Sequence, residues 1–254
     1  MTLHHDVKGR GPDLVLVHGW GLHGDIWKEL ATQLARNYRV TTVDLPGHGR
    51  SDMPEDAFTL ATITDAVASL VGAPATWLGW SLGGFVALDA ALRHAGKVTR
   101  LVLVGATPKF VQGTDWAHAM PAPVFAQFAV SLRQDYRSTL LRFLSLQAGN
   151  DEEGRALIKT LRARIFEHGE PRPEALTAGL AILEQTDMRA RLTDMRIPVQ
   201  VIHGSHDRLA PPAAGEYLAA RIAGARFVSI PGAGHAPFLS QPAAFLAALN
   251  ASRP

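Results

Sequence analysis

A serine at position 81 stands between glycines in Gly79-Trp80-Ser81-Leu82-Gly83, with the apolar ATWL before it and FVALDAAL after it. A hydroxyl is a poor nucleophile until a base takes its proton. Chemistry at Ser81 therefore needs an imidazole, and an acid to orient that imidazole. Of eleven histidines, His235 in IPGAGHAPF lies in a loop after the final apolar run, with glycines that leave room for another backbone and a substrate. Asp207 in PVQVIHGSHDRLAP lies in the loop that leaves the preceding run, whereas Asp187 and Asp194 precede that run and Asp44 precedes the serine. Attack on an acyl carbon also needs two N–H donors for the developing oxyanion. The N–H of Leu82, next to the nucleophile, supplies one. The loop His18-Gly19-Trp20-Gly21 supplies the other, assigned to the backbone of Trp20. His18 itself is expected to tie that loop down. The pattern H-x-x-H-D at 203–207 could suggest a metal, but a short loop seldom offers three side chains to one ion; no metal and no cofactor are expected.

These residues need elements to carry them. Apolar runs at 14–18, 39–43, 75–79, 100–104, 198–203 and 226–230 are rich in Val, Leu and Ile. Such continuous runs suit strands buried on both faces of a parallel sheet. Helical patterns at 24–35, 60–71, 82–94, 213–223 and 241–250 alternate with them, which implies βαβ units with helices on both faces of the sheet. Between about 110 and 190 the alternation stops. Helices are expected there at 122–131, 134–147, 152–167 and 173–186, punctuated by Pro121, Pro123, Gly149, Gly169, Pro171 and Pro173. The expected organisation is a core of 1–110 and 188–254 with a helical cap, 111–187, inserted in it. In this setting the serine motif reads as a sharp strand-to-helix turn that strains the serine backbone and lifts its Oγ clear of the sheet. Glycine at 79 and 83 lets strand and helix approach.

The bulk properties agree with an α/β domain. The chain has 254 residues, 47% of them hydrophobic, a formal charge of +2 and no cysteine. Disulfides and thiolate chemistry are excluded. The charge gives no argument for nucleic acid, and no segment has the length of a signal-peptide core or a membrane span. The expectation is a soluble, cytoplasmic monomer.

HGWG, VDLPGHGRSD, GWSLGG, HGSHD and GAGHAPF, in that order, resemble the α/β-hydrolase superfamily over nearly the whole chain. The resemblance implies an α/β-hydrolase fold, with a mostly parallel central sheet, helices on both faces and the inserted cap. It implies a triad of Ser81, Asp207 and His235, with Asp44 and His48 as scaffold groups. A serine rather than an aspartate nucleophile implies an acyl-enzyme. HGWGLHGDIW, WLGWSLGG, RFLSLQ and GHAPFLSQP narrow the resemblance to the carboxylesterases of biotin synthesis, which act on the methyl ester of pimeloyl-acyl-carrier protein. This implies an apolar pocket around Ser81, Leu82 and His235, with Trp20 and Trp80 walling the ester end. Phe143, Leu146 and Gln147 would come from the cap, and Phe238 from beside the histidine. An acidic carrier protein would be met by cap cations: Arg137, Arg142, and the stripe Arg155, Lys159 and Arg162. A generic short-chain carboxylesterase or lactonase, acting on small esters, and a ligand receptor on the same scaffold are the alternatives.

Overall fold

The computed structural model describes residues 1–55, 57–145 and 152–251. Seven strands form one sheet: β1 (His5–Lys8), β2 (Asp13–Val17), β3 (Arg39–Val43), β4 (Ala75–Trp80), β5 (Val98–Val104), β6 (Val199–Gly204) and β7 (Arg226–Ile230). Their order across the sheet is β1-β3-β2-β4-β5-β6-β7, with only β1 antiparallel to its neighbour. The six apolar runs are the six parallel strands. The central ones, β2, β4, β5 and β6, are almost wholly buried and read as apolar segments because helices cover both faces, whereas the edge strand β7 is only partly covered. The strand β1 is exposed along most of its length and carries no apolar run, so nothing in its sequence announced it.

The order of strands locates a site before any side chain is considered. From β2 the chain moves outward through α1 (Lys28–Leu34) to β3, then returns past β2 through α2 (Leu60–Ser69) to β4. The winding reverses between β2 and β4, and ligands of open α/β sheets bind at the carboxyl ends of the strands where it does so. The loop after β2 begins at His18, and the turn after β4 is Ser81.

Helix α3 (Leu82–Arg93) is buried continuously from Leu82 to Ala91, so it is the central helix of the molecule rather than an amphipathic one. The helices α4 (Ala122–Gln134), α5 (Tyr136–Ser145), α6 (Glu152–Arg164) and α7 (Pro173–Gln185) all fall between β5 and β6. The chain's two passages into and out of this helical stretch lie side by side. Lys109 and Asp187 form an antiparallel bridge, Met188 N–H donates to Pro108 C=O at 2.9 Å, and the Lys109 ammonium meets the Asp187 carboxylate at 3.2 Å. Helices α8 (Pro212–Arg221), α9 (Pro237–Ser240) and α10 (Pro242–Asn250) complete the chain. Each of these last three, like α4 and α7, has proline in its first two positions, where no helical N–H is lost. The span 24–35, read as one helix, is a 3₁₀ turn at Gly24–Trp27 followed by α1.

At the β4–α3 turn the glycines answer to different neighbours. A side chain at Gly79 would run into the carbonyl of Gly83 in the first turn of the helix. A side chain at Gly83 would run into the backbone carbonyls of Val17 and His18 on the adjacent strand. Backbone cannot yield as a side-chain tip can. Gly83→Ala is expected to cost roughly 1–3 kcal/mol and lower the Tm by several degrees. Gly96→Ala, where a methyl meets open space, should stay within about 0.5 kcal/mol of the parent. Equal urea midpoints for the two variants would contradict this reading.

Candidate active site

Ser81 is the one non-glycine residue with positive φ among those described, at φ +55° and ψ −118°. For an L-residue that conformation is costly and persists only when its surroundings over-determine it. Here they do. Ser81 N–H donates to Val104 C=O at 3.1 Å, Gly84 N–H donates to Ser81 C=O at 2.8 Å, and the glycine contacts fix the helix against the sheet. Leu82 is the first residue of α3, so its N–H has no partner within the helix and lies beside the serine.

The loop after β2 reaches the same point. A methyl on Gly19 would lie 3.2 Å from Ser81 Cβ and 3.2 Å from the Trp80 ring. Two buried histidines hold this loop. His18 accepts the Leu45 N–H on Nε2 at 2.9 Å, which leaves Nδ1 to donate to Gly19 C=O at 2.7 Å. His48 accepts the Gly21 N–H on Nε2 at 3.3 Å and donates from Nδ1 to Pro46 C=O at 2.9 Å. Burial drives both toward the neutral form, His18 to a pKa of about 3 and His48 to about 4. Asp44 accepts from Gly24 N–H at 2.6 Å and from Arg50 N–H at 2.9 Å. Burial opposes its charge, but these amides and the Arg50 guanidinium outweigh it and keep its pKa below the ordinary carboxylate value. All three residues are therefore seen making scaffold contacts.

On the other side of Ser81, the loops after β6 and β7 interlock. Ser205 N–H donates to Ile230 C=O at 3.0 Å and His206 N–H to Ala233 C=O at 2.9 Å. Asp207 and His235 are both buried, and His235 Nδ1 meets Asp207 Oδ2 at 2.7 Å. The other carboxylate oxygen accepts from Leu209 N–H and Ala210 N–H, each at 2.9 Å. These two amides orient the carboxylate so that its Oδ2 lies in line to accept from His235 Nδ1. His235 Nε2 is buried and makes no hydrogen bond, the Ser81 hydroxyl included. In sites of this kind that bond often closes only when substrate is in place.

Two features that fix His235 were missed from sequence. Trp80 Nε1–H donates to His235 C=O at 2.8 Å. Gly105, at φ +50° just past β5, leaves room where a side chain would press 3.0 Å from His235 Nδ1. Trp80 was expected to wall the ester. Its indole instead packs behind the histidine, against Trp27, Phe238 and the His235 ring. Phe238 stacks on Trp27 with centroids 4.3 Å apart and continues into the core at Phe245. Trp80 is the last residue of β4 and Ser81 the strained turn beyond it, so the two side chains need not share a direction.

Trp20 and Phe143 do meet. Trp20 Nε1–H donates to Leu176 C=O on α7 at 2.8 Å, and its ring stands edge-on to Phe143 and Phe128, at 5.1 and 5.6 Å. A side chain at Gly179 would press 2.7 Å from Trp20 Cδ1 and 3.7 Å from Leu82 Cδ2, so α7 lies directly over both. An open, mainly apolar groove of about 640 Å³ runs between α4 and α5, lined by Val124, Gln127, Phe128, Thr139, Arg142 and Phe143. A groove of about 620 Å³, bordered by Tyr38, Arg100 and Gln200, opens at the opposite ends of the strands, away from all these groups. Leu146 and Gln147 lie outside the described residues. The cap cations Arg137, Arg142, Arg155, Lys159 and Arg162 are all exposed, and Arg137 also pairs with Glu170 at 2.7 Å and covers the Phe166 ring. The H-x-x-H-D residues do not converge. His203 is fully buried with both ring nitrogens unpartnered, burial takes its pKa down to about 4, and His206 is exposed.

Residues 14–249 match the alpha/beta hydrolase family. The chain belongs to that family. Among its α/β-hydrolase relatives is a pimeloyl-[acyl-carrier protein] methyl ester esterase of Xanthomonas axonopodis pv. citri, 45% identical over 239 residues that cover 93% of each chain. The enzyme of the same name from Stenotrophomonas maltophilia is 44% identical over 98% of this chain and 95% of its own. A solved hydrolase from Pseudomonas aeruginosa PA01 superposes with a TM-score of 0.86 at 29% identity, covering 98% of this chain and 93% of that one. No helix among the described residues of this α/β-hydrolase is long and apolar enough to cross a membrane.

The three buried neutral histidines set a pH dependence of stability. Between pH 6.5 and each folded value, only the unfolded chain takes up the proton. Their contribution is complete above about pH 6.5 and is lost as the pH falls toward 4. At about pH 5 the loss is roughly 2 kcal/mol per histidine. Urea midpoints at about pH 7.5 and about pH 5 should differ accordingly; equal midpoints would mean that these rings are not held neutral.

Proposed function

We propose that this protein is a serine carboxylesterase that hydrolyses the methyl ester of pimeloyl-acyl-carrier protein, releasing methanol and freeing the distal carboxylate for biotin synthesis. Support for the substrate comes from the relatives that carry this name and match the chain nearly end to end. Support for the mechanism comes from one observation above all: a buried imidazole whose Nδ1 is engaged by a carboxylate at 2.7 Å and whose Nε2 is left without a partner.

In this reading Ser81 attacks the ester carbonyl as His235 Nε2 takes its proton, and Asp207 stabilises the imidazolium. The N–H groups of Trp20 and Leu82 receive the oxyanion. His235 returns the proton to the departing methoxide, and water activated by the same ring clears the acyl-enzyme. Methanol and the free acid are the products, and no metal or cofactor takes part. Residues 111–187 act as a lid over a core of 1–110 and 188–254. The acyl arm enters along the α4–α5 groove, past Phe143 toward Trp20, with Leu146 and Gln147 contributing farther along the lid. Trp80 and Phe238 serve the site from behind, by holding His235. The acidic carrier protein docks on Arg142, Arg155, Lys159 and Arg162, with Arg137 at the margin, where complementary charge speeds encounter. The protein works as a cytoplasmic monomer.

Ser81→Ala should lower kcat on methyl pimeloyl-carrier protein by at least roughly three orders of magnitude, and should fail to relieve biotin dependence in a bacterium lacking its own pimeloyl-ester esterase. Retention of most activity would reassign the nucleophile. The double reversal Arg155→Glu with Arg162→Glu should raise KM for the carrier-bound ester about tenfold or more while sparing a short nitrophenyl ester. Wild-type kinetics on both substrates would remove the docking stripe.

A further inference from the structure

A second cluster of side chains lies apart from the triad, where the loop after β2 meets the end of α6. His23 is buried at 3% exposure, and its Nε2–H donates to the Arg164 backbone carbonyl at 2.7 Å. That bond fixes the tautomer and leaves the Nδ1 lone pair with nothing to accept: Nδ1 is buried and has no hydrogen-bond partner. His168 stands edge-on to it, ring centroids 5.0 Å apart, and its Nε2 meets Asp25 Oδ2 at 2.6 Å. One donor atom from each of His23, Asp25 and His168 lies within 4.8 Å of the others. An imidazole with a free buried acceptor, beside a carboxylate and a second imidazole, is what a cation requires and what a protein otherwise satisfies with a donor.

We propose that His23, Asp25 and His168 form a binding site for a divalent transition-metal ion of the zinc type, which ties the helical stretch after β5 to the body of the protein. The donor set selects the ion. Two imidazole nitrogens and one carboxylate oxygen suit zinc and its neighbours, whereas calcium and magnesium take oxygen alone. Tetrahedral zinc at about 2.0–2.2 Å from each donor needs those donors about 3.4 Å apart, which side-chain rotation of about an ångström supplies. The surrounding bonds match those that orient metal ligands elsewhere. With Nδ1 of His23 as the ligand, a backbone carbonyl holds the other ring nitrogen, and Arg50 Nη2 holds the second oxygen of Asp25 at 3.2 Å. His168 would turn its Nε2 lone pair to the metal and carry its hydrogen on Nδ1. Two ligands come from the loop after β2 and the third from just beyond α6. Binding therefore stabilises the contact between those segments, as any ligand of the folded state alone must. Sequence gave no hint of it, because 143 residues separate Asp25 from His168.

The experiment is a cobalt titration of the full, tag-free, chelator-treated protein, read by visible absorption, followed by displacement with zinc and a melting curve. One equivalent should bind with the intense bands of four-coordinate cobalt, and saturating zinc should raise the Tm by several degrees. His168→Gln and Asp25→Asn should each weaken binding at least about 100-fold and abolish the Tm shift. Circular dichroism and turnover of a short ester should stay at the parent level, since neither residue belongs to the triad. The double variant His4→Gln with His5→Gln removes the other nearby histidine pair and should leave binding intact. Absence of a one-equivalent site in the parent overturns the proposal. So does binding that survives His168→Gln, or binding that is lost on removal of His4 and His5.

Discussion

The contact on which this molecule is organised is the packing of the first turn of α3 against the end of β2. It is made of backbone alone: Gly83 set against the carbonyls of Val17 and His18, with Gly79 tucked beneath Gly83. Because no side chain intervenes, helix, turn and neighbouring strand share one fixed geometry, and Ser81 is left no relaxed conformation to fall into. The strain at Ser81 is therefore held by the core of the sheet rather than by the loops around it. Everything placed near the serine inherits that rigidity. The Gly19 loop abuts Ser81 Cβ, and Val104 at the end of β5 accepts the Ser81 amide.

Around this fixed point the imidazole is restrained from three directions. Asp207 engages the ring edge, Trp80 the backbone carbonyl, and Gly105 permits the close approach. Asp207 is itself held by two amides of its own loop, so its carboxylate reaches His235 already oriented. This layered support is what a site needs if its groups are to keep their geometry without rearrangement during reaction. The histidines at 18 and 48 perform the same service for the opposite loop. Their burial as neutral rings exchanges stability in acid for a well-fixed array of donors and acceptors.

What could be read in the sequence follows from how local each signal is. The six parallel strands are short apolar runs bounded by glycine and proline, so their positions were legible from composition alone. The serine turn was legible because its five-residue pattern sits between an apolar run and a helical pattern, although the backbone that Gly83 answers to, at Val17 and His18, is remote in the chain. Proximity of Asp207 to His235 followed from each lying just beyond a strand at the same edge of the sheet. The strand β1 was not legible: it is polar, exposed and paired only along the margin, so no apolar pattern marks it. The roles of Gly105 and Gly179 were hidden because the partners that require them, His235 and Trp20, are more than 100 residues away in the chain. The contacts that Trp80 makes, with Trp27, Phe238 and the backbone carbonyl of His235, were hidden for a related reason.

The bridge between Lys109 and Asp187 gives the fold an evolutionary degree of freedom. A stretch whose two ends are already stitched together can lengthen, shorten or be replaced at an entropic cost that grows only with the logarithm of its length. Ladder hydrogen bonds of β5 and β6 do not depend on what lies between them. Change in the helical stretch can thus leave the strained turn untouched, and the same core can be inherited intact beneath quite different helical stretches.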